Sequence, residues 1–146
     1  MPSMRRQRLR YDGLQYDVRP DGRCRIEVKL EWRGRTFSAV AEGLQPLHGS
    51  LRTAAEATLE AAAAATGGRL ELSLRGIKPL RAFDVTLIVV AVAAHEGERR
   101  YKLLGTKAVE GEEPVEAACR AVLDALNRVL ELYVARPPED DGVDEG

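Results

Sequence analysis

The chain has 146 residues, 45% of them apolar and 31% charged, with a net charge of −1. Those values fit one ordinary globular domain, or two small halves sharing a core, and exclude a disordered or collagen-like chain. The charge is uneven. Arg5, Arg6, Arg8 and Arg10 give the first ten residues +4, while Glu139, Asp140, Asp141, Asp144 and Glu145 give the last ten −5. An arginine arm without a basic body is a weak nucleic-acid signal, so solvated termini are expected.

Residues 1–8 read as a loose basic arm. Leu14, Tyr16 and Val18 alternate with polar residues as a short strand, and Pro20-Asp21-Gly22 is a turn. Cys24, Ile26, Val28, Leu30 and Trp32 then alternate strictly with Arg23, Arg25, Glu27, Lys29 and Glu31. That period marks a strand with one buried and one wet face, as in an antiparallel sheet covered on one side. Arg33-Gly34 turns into a returning strand carrying Phe37, Ala39 and Ala41, and Glu42-Gly43 ends it. A connection through Pro46 leads to a helix whose start Ser50 or Thr53 caps, with Thr53-Ala-Ala-Glu56 reading as a capping box. Leu51, Ala55, Thr58, Leu59 and Ala62 form its contact stripe, and Gly67-Gly68 stops it.

The same order then repeats. Leu70, Leu72 and Leu74 alternate as a strand, Gly76 to Leu80 reads as a bend, and Phe83, Val85, Leu87, Val89, Ala91 and Ala93 form one face of a second strand. Ile88, Val90 and Val92 make its other face apolar too. A strand apolar on both sides lies between two layers or at a subunit interface; the interface is the favoured reading, with Ile88, Val90 and Val92 as its candidates. His95-Glu-Gly-Glu98 turns the hairpin, Tyr101 to Val109 returns, and Glu112-Glu113-Pro114 opens the last helix. Its buried stripe is Val115, Ala118, Val122, Leu126, Val129 and Tyr133, and Glu116, Arg120, Asp124 and Arg128 line its wet face.

The two helices echo each other. Ala54-Ala-Glu-Ala-Thr-Leu-Glu-Ala61 aligns with Ala118-Cys-Arg-Ala-Val-Leu-Asp-Ala125, sixty-four positions on. The expected fold is therefore α+β: two tandem strand-strand-strand-helix units with pseudo-twofold symmetry and helices on one face of an antiparallel sheet. The units span residues 9–67 and 68–136, followed by an acidic tail over 137–146.

The chemistry inventory is thin. The two histidines and two cysteines form neither a CxxC nor an HExxH pair, so no metal site is expected. His48 lies near Ser50, but no nucleophile elbow surrounds that serine and its capping role suffices. His95 reads as a solvated turn residue; Cys24 and Cys119 read as buried thiols of a reducing cytosol. Neither a Walker sequence nor a Gly-x-Gly-x-x-Gly follows a strand, so no cofactor is expected. The first ten residues lack the apolar run of a signal peptide, and Val85–Ala94 is too short to span a bilayer. A cytoplasmic, non-enzymatic protein without membrane contact is expected. What stays open is the pair of helix starts, with Gly43 and Ser50 at one and Gly111 and Glu113 at the other, as weak candidates for a small ligand: free N–H groups can hold a carboxylate, and Glu113 an ammonium group.

Val115-Glu-Ala-Ala-Cys-Arg-Ala-Val-Leu-Asp-Ala-Leu-Asn127, together with the Arg69–Leu80 strand and the Phe83 hairpin ahead of it, resembles the C-terminal regulatory domain of the 2-isopropylmalate synthase family. The family's helix has a Val-Glu-Ala-Ser-Ala-x-Ala-Tyr-x-x-Ala-Leu-Asn character. The likeness spans residues 14 to 134, with Gly43 and Gly111 at the glycine-rich strand-to-helix connections. It implies two strand-strand-strand-helix units, a homodimer, and an amino-acid effector such as leucine held between units. Three features depart from the pattern. The chain is too short to include the catalytic barrel; Val122 stands where the family has an aromatic; and the glycine-and-acid pattern before the helix is reduced to Gly105-Thr-Lys-Ala-Val-Glu-Gly111. The expectation is a metabolite-binding or regulatory dimerisation module. The alternatives are a structural protein-interaction module and a weak nucleic-acid binder using the arginine arm.

Overall fold

The computed structural model describes residues 8–44 and 49–135, with side chains as far as residue 129. The basic arm up to residue 7, Pro46, His48, the side chain of Tyr133 and the acidic tail lie outside the described residues. The elements run β1 (Arg10–Val18), β2 (Arg23–Trp32), β3 (Arg35–Leu44), α1 (Gly49–Ala65), β4 (Glu71–Ala82), β5 (Val85–Glu96), β6 (Arg99–Ala108) and α2 (Pro114–Ala135). This is the expected α+β arrangement of two tandem strand-strand-strand-helix units. The strands form two separate antiparallel sheets, ordered β1-β2-β3 and β4-β5-β6, where one sheet was expected.

In the first unit the sequence pattern acts directly. Cys24, Ile26, Val28, Leu30 and Trp32 of β2 are all buried, and α1 packs over β2 and β3. Fully burying a side chain such as Ile26 stabilises by about 1.5–3 kcal/mol. The β2–β3 hairpin closes on Arg33 and Gly34, both at positive φ, which matches the twist of the flanking strands. Thr53 corrects the capping-box reading. It sits inside α1 and its Oγ1 donates to the Gly49 carbonyl at 2.8 Å, so it bonds back along the helix. The helix ends as expected: Gly68 N donates to Ala63 O and Gly67 N to Ala64 O, both at 3.0 Å, with Gly67 at φ 68°.

The second unit departs from expectation at β4. Gly76–Leu80 is no bend; β4 runs unbroken from Glu71 to Ala82, with a bulge between Leu74 and Gly76. The extra residue shifts the alternation, so Leu72 and Leu74 share the inner face with Ile77. Pro79 is tolerated because β4 is an edge strand. The chain reverses at Phe83 and Asp84, with φ of 55° and 61°, so Phe83 stands at the hairpin tip, 98% exposed, and is not a strand residue. His95 likewise belongs to β5 and not to the turn.

Each helix covers its own sheet, α1 meets α2 and β4, and α2 reaches β1. The two helices join where the sequence echo lies. The Ala54 carbonyl accepts the Thr58 hydroxyl at 2.8 Å and the Cys119 thiol at 3.9 Å. Burial, ahead of the charge of nearby Glu116, pushes that thiol up to about 12, so it is protonated and inert at neutral pH.

One polar clamp ties the first unit to the last helix. Buried Asn127 accepts from Leu9 N through Oδ1 at 2.9 Å and donates from Nδ2 to Leu9 O at 3.3 Å. Asn127→Ala orphans both backbone groups of Leu9 at once. It is expected to lower stability by about 1–3 kcal/mol in urea denaturation. A smaller change would mean that water replaces the amide there.

Candidate functional site

The helix starts resolve into local structure. Gly43 lies within β3, paired with Cys24, and not in the connection. A Cβ there would run into Thr53 Oγ1, so the glycine serves the close approach of α1 to its sheet. Ser50 is a half-buried residue of the first turn of α1. At the other start Gly111 is exposed with φ 105°, and the Glu113 carbonyl accepts Glu116 N at 3.0 Å and Ala117 N at 3.1 Å. Glu112 accepts from Glu110 N at 2.9 Å and lies 4.0 Å from Lys107 Nζ. Those backbone bonds, more than the lysine, hold its carboxyl below the usual range. Among the described residues, these hydrogen bonds at the two starts are local. Neither of the two grooves described below includes Gly43, Ser50, Gly111 or Glu113.

The interface candidates must be corrected. Ile88 and Val92 are 1% exposed and Val90 is 0% exposed within the single chain. They face the helices, because α2 packs over β5 and β6. The opposite face of β5, with Leu87, Val89, Ala91 and Ala93, is the open one.

The cross-strand register defines that outer face row by row. Leu80, Leu87 and Ala108 form one row; Lys78, Val89 and Thr106 the next; then Gly76, Ala91 and Leu104; then Ser73, Ala93 and Lys102; and finally Glu71, His95 and Arg100. Its apolar members include Leu80 at 46% and Leu104 at 62% exposure. The outer face of the first sheet is different in kind. There Asp17, Arg25 and Glu42 share a row, and Arg19 bridges to Glu42 at 3.4 Å. Like most solvated faces it alternates in sign. Of the two outer faces, the first is dominated by charge, and the second is apolar towards Leu80 and polar towards His95.

The second face holds a groove of about 680 Å³ whose walls include Arg75, Ala91, Ala93, Arg100, Lys102 and Leu104. A second groove, of about 700 Å³, lies where the start of the described chain crosses α2, with Arg8, Arg10, Tyr11 and Arg120 among its walls. Two of its charges, Arg120 and Asp124, are engaged. The Arg120 guanidinium lies 4.7 Å from the Tyr11 ring centroid and pairs with Glu116 at 3.3 Å, while Asp124 accepts Thr106 N at 3.0 Å. Burial first, then the charges of Cys119 and Glu116, hold the Tyr11 phenol above its usual range.

Among the described residues no cluster of three His, Cys, Asp or Glu side chains is placed to hold a metal ion, and no helix is long and apolar enough to cross a membrane. Sequence reasoning chose the wrong face of β5. The available signal was Gly105, in register with Val90, which marks the face where α2 lies closest. Comparison of the chain with protein-family models and with curated proteins gives no match.

Proposed function

We propose that this chain is a non-catalytic regulatory module that works as a homodimer, self-associating through the outer face of its second sheet. One observation carries this reading: of its two outer sheet faces, one is dominated by charges of alternating sign and the other presents exposed Leu80 and Leu104 with half-buried Leu87 and Val89 between them in adjacent rows. An exposed apolar sheet face that size favours a protein contact. A single self-complementary patch closes as a twofold dimer and goes no further. The resemblance to the synthase regulatory domains leads to the same assembly. Neither groove described above includes Gly43, Ser50, Gly111 or Glu113, so the sheet face bears the reading alone.

The size of the face sets its strength. Three strands of about ten residues cover about 14 Å by 35 Å, a projected area of about 500 Å² per protomer. Stable interfaces bury about 800 Å² per partner. A reversible, concentration-dependent dimer follows. Sedimentation velocity over a range of concentrations is expected to show it, and Leu87→Glu is expected to yield a monomer with an unchanged circular-dichroism spectrum. A wild-type chain that stays monomeric throughout, or a Leu87→Glu variant that still dimerises, would sink the proposal.

A further inference from the structure

We infer that the groove at the His95 end of this outer face binds a small aliphatic molecule with an oxyanion head, a carboxylate or a phosphate. Two neighbouring rows, Gly76–Ala91–Leu104 and Ser73–Ala93–Lys102, have small residues on β4 and β5 and larger ones on β6. The sheet surface is therefore hollowed along Ala91 and Ala93, with Leu104 and Lys102 as one wall. The bulge in β4 falls at Arg75, which lines the groove from the opposite strand. The resulting space of about 680 Å³ is of the size that takes a small ligand.

Its charge is one-sided. Arg75, Arg100 and Lys102 line it together with His95, and no carboxylate lines it; Glu71, in register with His95, marks the margin. Among the described residues these three cations enter no ion pair. Arg19, Arg23, Lys107 and Arg120, elsewhere on the surface, each have a carboxylate partner. Unpaired guanidinium forks beside an apolar floor favour an anionic head with an apolar body, because the head gains charge-assisted hydrogen bonds while the body covers Ala91, Ala93 and Leu104. A neutral lipid would leave the cations unused, and a free inorganic anion would leave the floor wet.

The groove occupies the His95 end of the face and Leu80 and Leu87 the other; Leu104 belongs to both, so this inference rests on a dimer that leaves the His95 end open. The test uses decanoate, decyl phosphate, decanol and decylammonium below their micelle concentrations, titrated into the full chain and followed by amide chemical shifts. The expected result is shifts confined to the groove rows, with at least one anion binding tenfold or more tighter than the alcohol and the ammonium. Arg100→Ala with Lys102→Ala is expected to weaken that binding at least tenfold, and Ala91→Phe to abolish it by filling the floor. Equal binding of decanol, shifts centred elsewhere, or no binding at all would overturn it. So would binding seen in monomeric Leu87→Glu but absent from the wild-type dimer, because a second copy would then occupy the groove. A wild-type chain that stays monomeric yet binds the anion would count against self-association only.

Discussion

Val90→Glu is expected to unfold the chain, not to split a dimer. Val90 is 0% exposed at the centre of the second sheet, in register with Ile77 on one side and Gly105 on the other, beneath α2. A glutamate in that row finds apolar neighbours, so it either stays ionised at a cost of several kcal/mol or takes up a proton. Fully buried carboxyls have pKa values raised by up to 3–5 units; each unit is worth 1.36 kcal/mol and pH 7 lies about 2.7 units above the unfolded value near 4.3, so protonation costs up to about 3.7 kcal/mol at pH 7, and burying the neutral carboxyl among apolar groups adds to it. That is a large share of the 5–15 kcal/mol that holds a typical domain together. The sign of the pH dependence follows. With a folded pKa above the unfolded one, the neutral form suits the native state, so the variant is least impaired below about pH 4 and loses stability as pH rises through the unfolded value near 4.3 and on to the folded one. Urea denaturation at several pH values measures this. A Val90→Glu protein with the wild-type midpoint at pH 7 would show that this face of β5 is not core. The same charge at Leu87, on the outer face, leaves the fold standing and acts on association alone.

That contrast shows where the sequence is legible and where it is not. β2 reads cleanly because one face is buried and the other wet, so period two is visible in Cys24 to Trp32 without any partner. The helices read for the same reason, and their shared Ala-rich pattern turns out to mark where they meet, at Ala54, Thr58 and Cys119. β5 defeats the method. Both its faces are apolar, so the period is there but nothing in the strand says which side the helix takes. β4 fails differently: one bulged residue at Arg75 flips the alternation, and Gly-Ile-Lys-Pro then looks like a bend. The turn after it hides as well, since Phe83 and Asp84 adopt positive φ without the Asn-Gly or Gly that normally signals such a hairpin. The placement of Gly43 misleads, because a glycine near a strand end suggests a connecting loop, whereas Gly43 lies within β3 and makes room for Thr53 of α1. The groove was out of reach, because it depends on small residues on β4 and β5 coming into line, and that register is a property of the fold.

Gly105→Val is the second substitution expected to be severe, and for the opposite reason to a buried charge. A Cβ at Gly105 would overlap the Ala121 carbonyl and stand 2.6 Å from Ala125 N and 2.9 Å from Ala125 Cβ. Two of these three obstacles are helix backbone, which no rotamer change can move aside. α2 would have to lift from β6 as a body, taking with it Val122 and Leu126, which are buried in the core. Overpacking typically costs 1–3 kcal/mol where side chains can yield. Gly105→Ala is expected at the top of that range, and Gly105→Val beyond it. Two other glycines calibrate the claim. A Cβ at Gly43 meets the Thr53 side chain alone and no backbone, so Gly43→Ala is expected to be milder, at the cost of the Thr53 bond to Gly49 O. A Cβ at Gly76 meets nothing within 4 Å, so Gly76→Ala is expected to be neutral or stabilising by up to about 1 kcal/mol through the unfolded chain. The order Gly105, Gly43, Gly76 in urea midpoints is thus fixed by what each Cβ would touch. If Gly105→Ala matched Gly76→Ala, α2 would have to sit farther from the second sheet. In that case Val90 would lose its cover, and the choice of which face of β5 is open would have to be reversed.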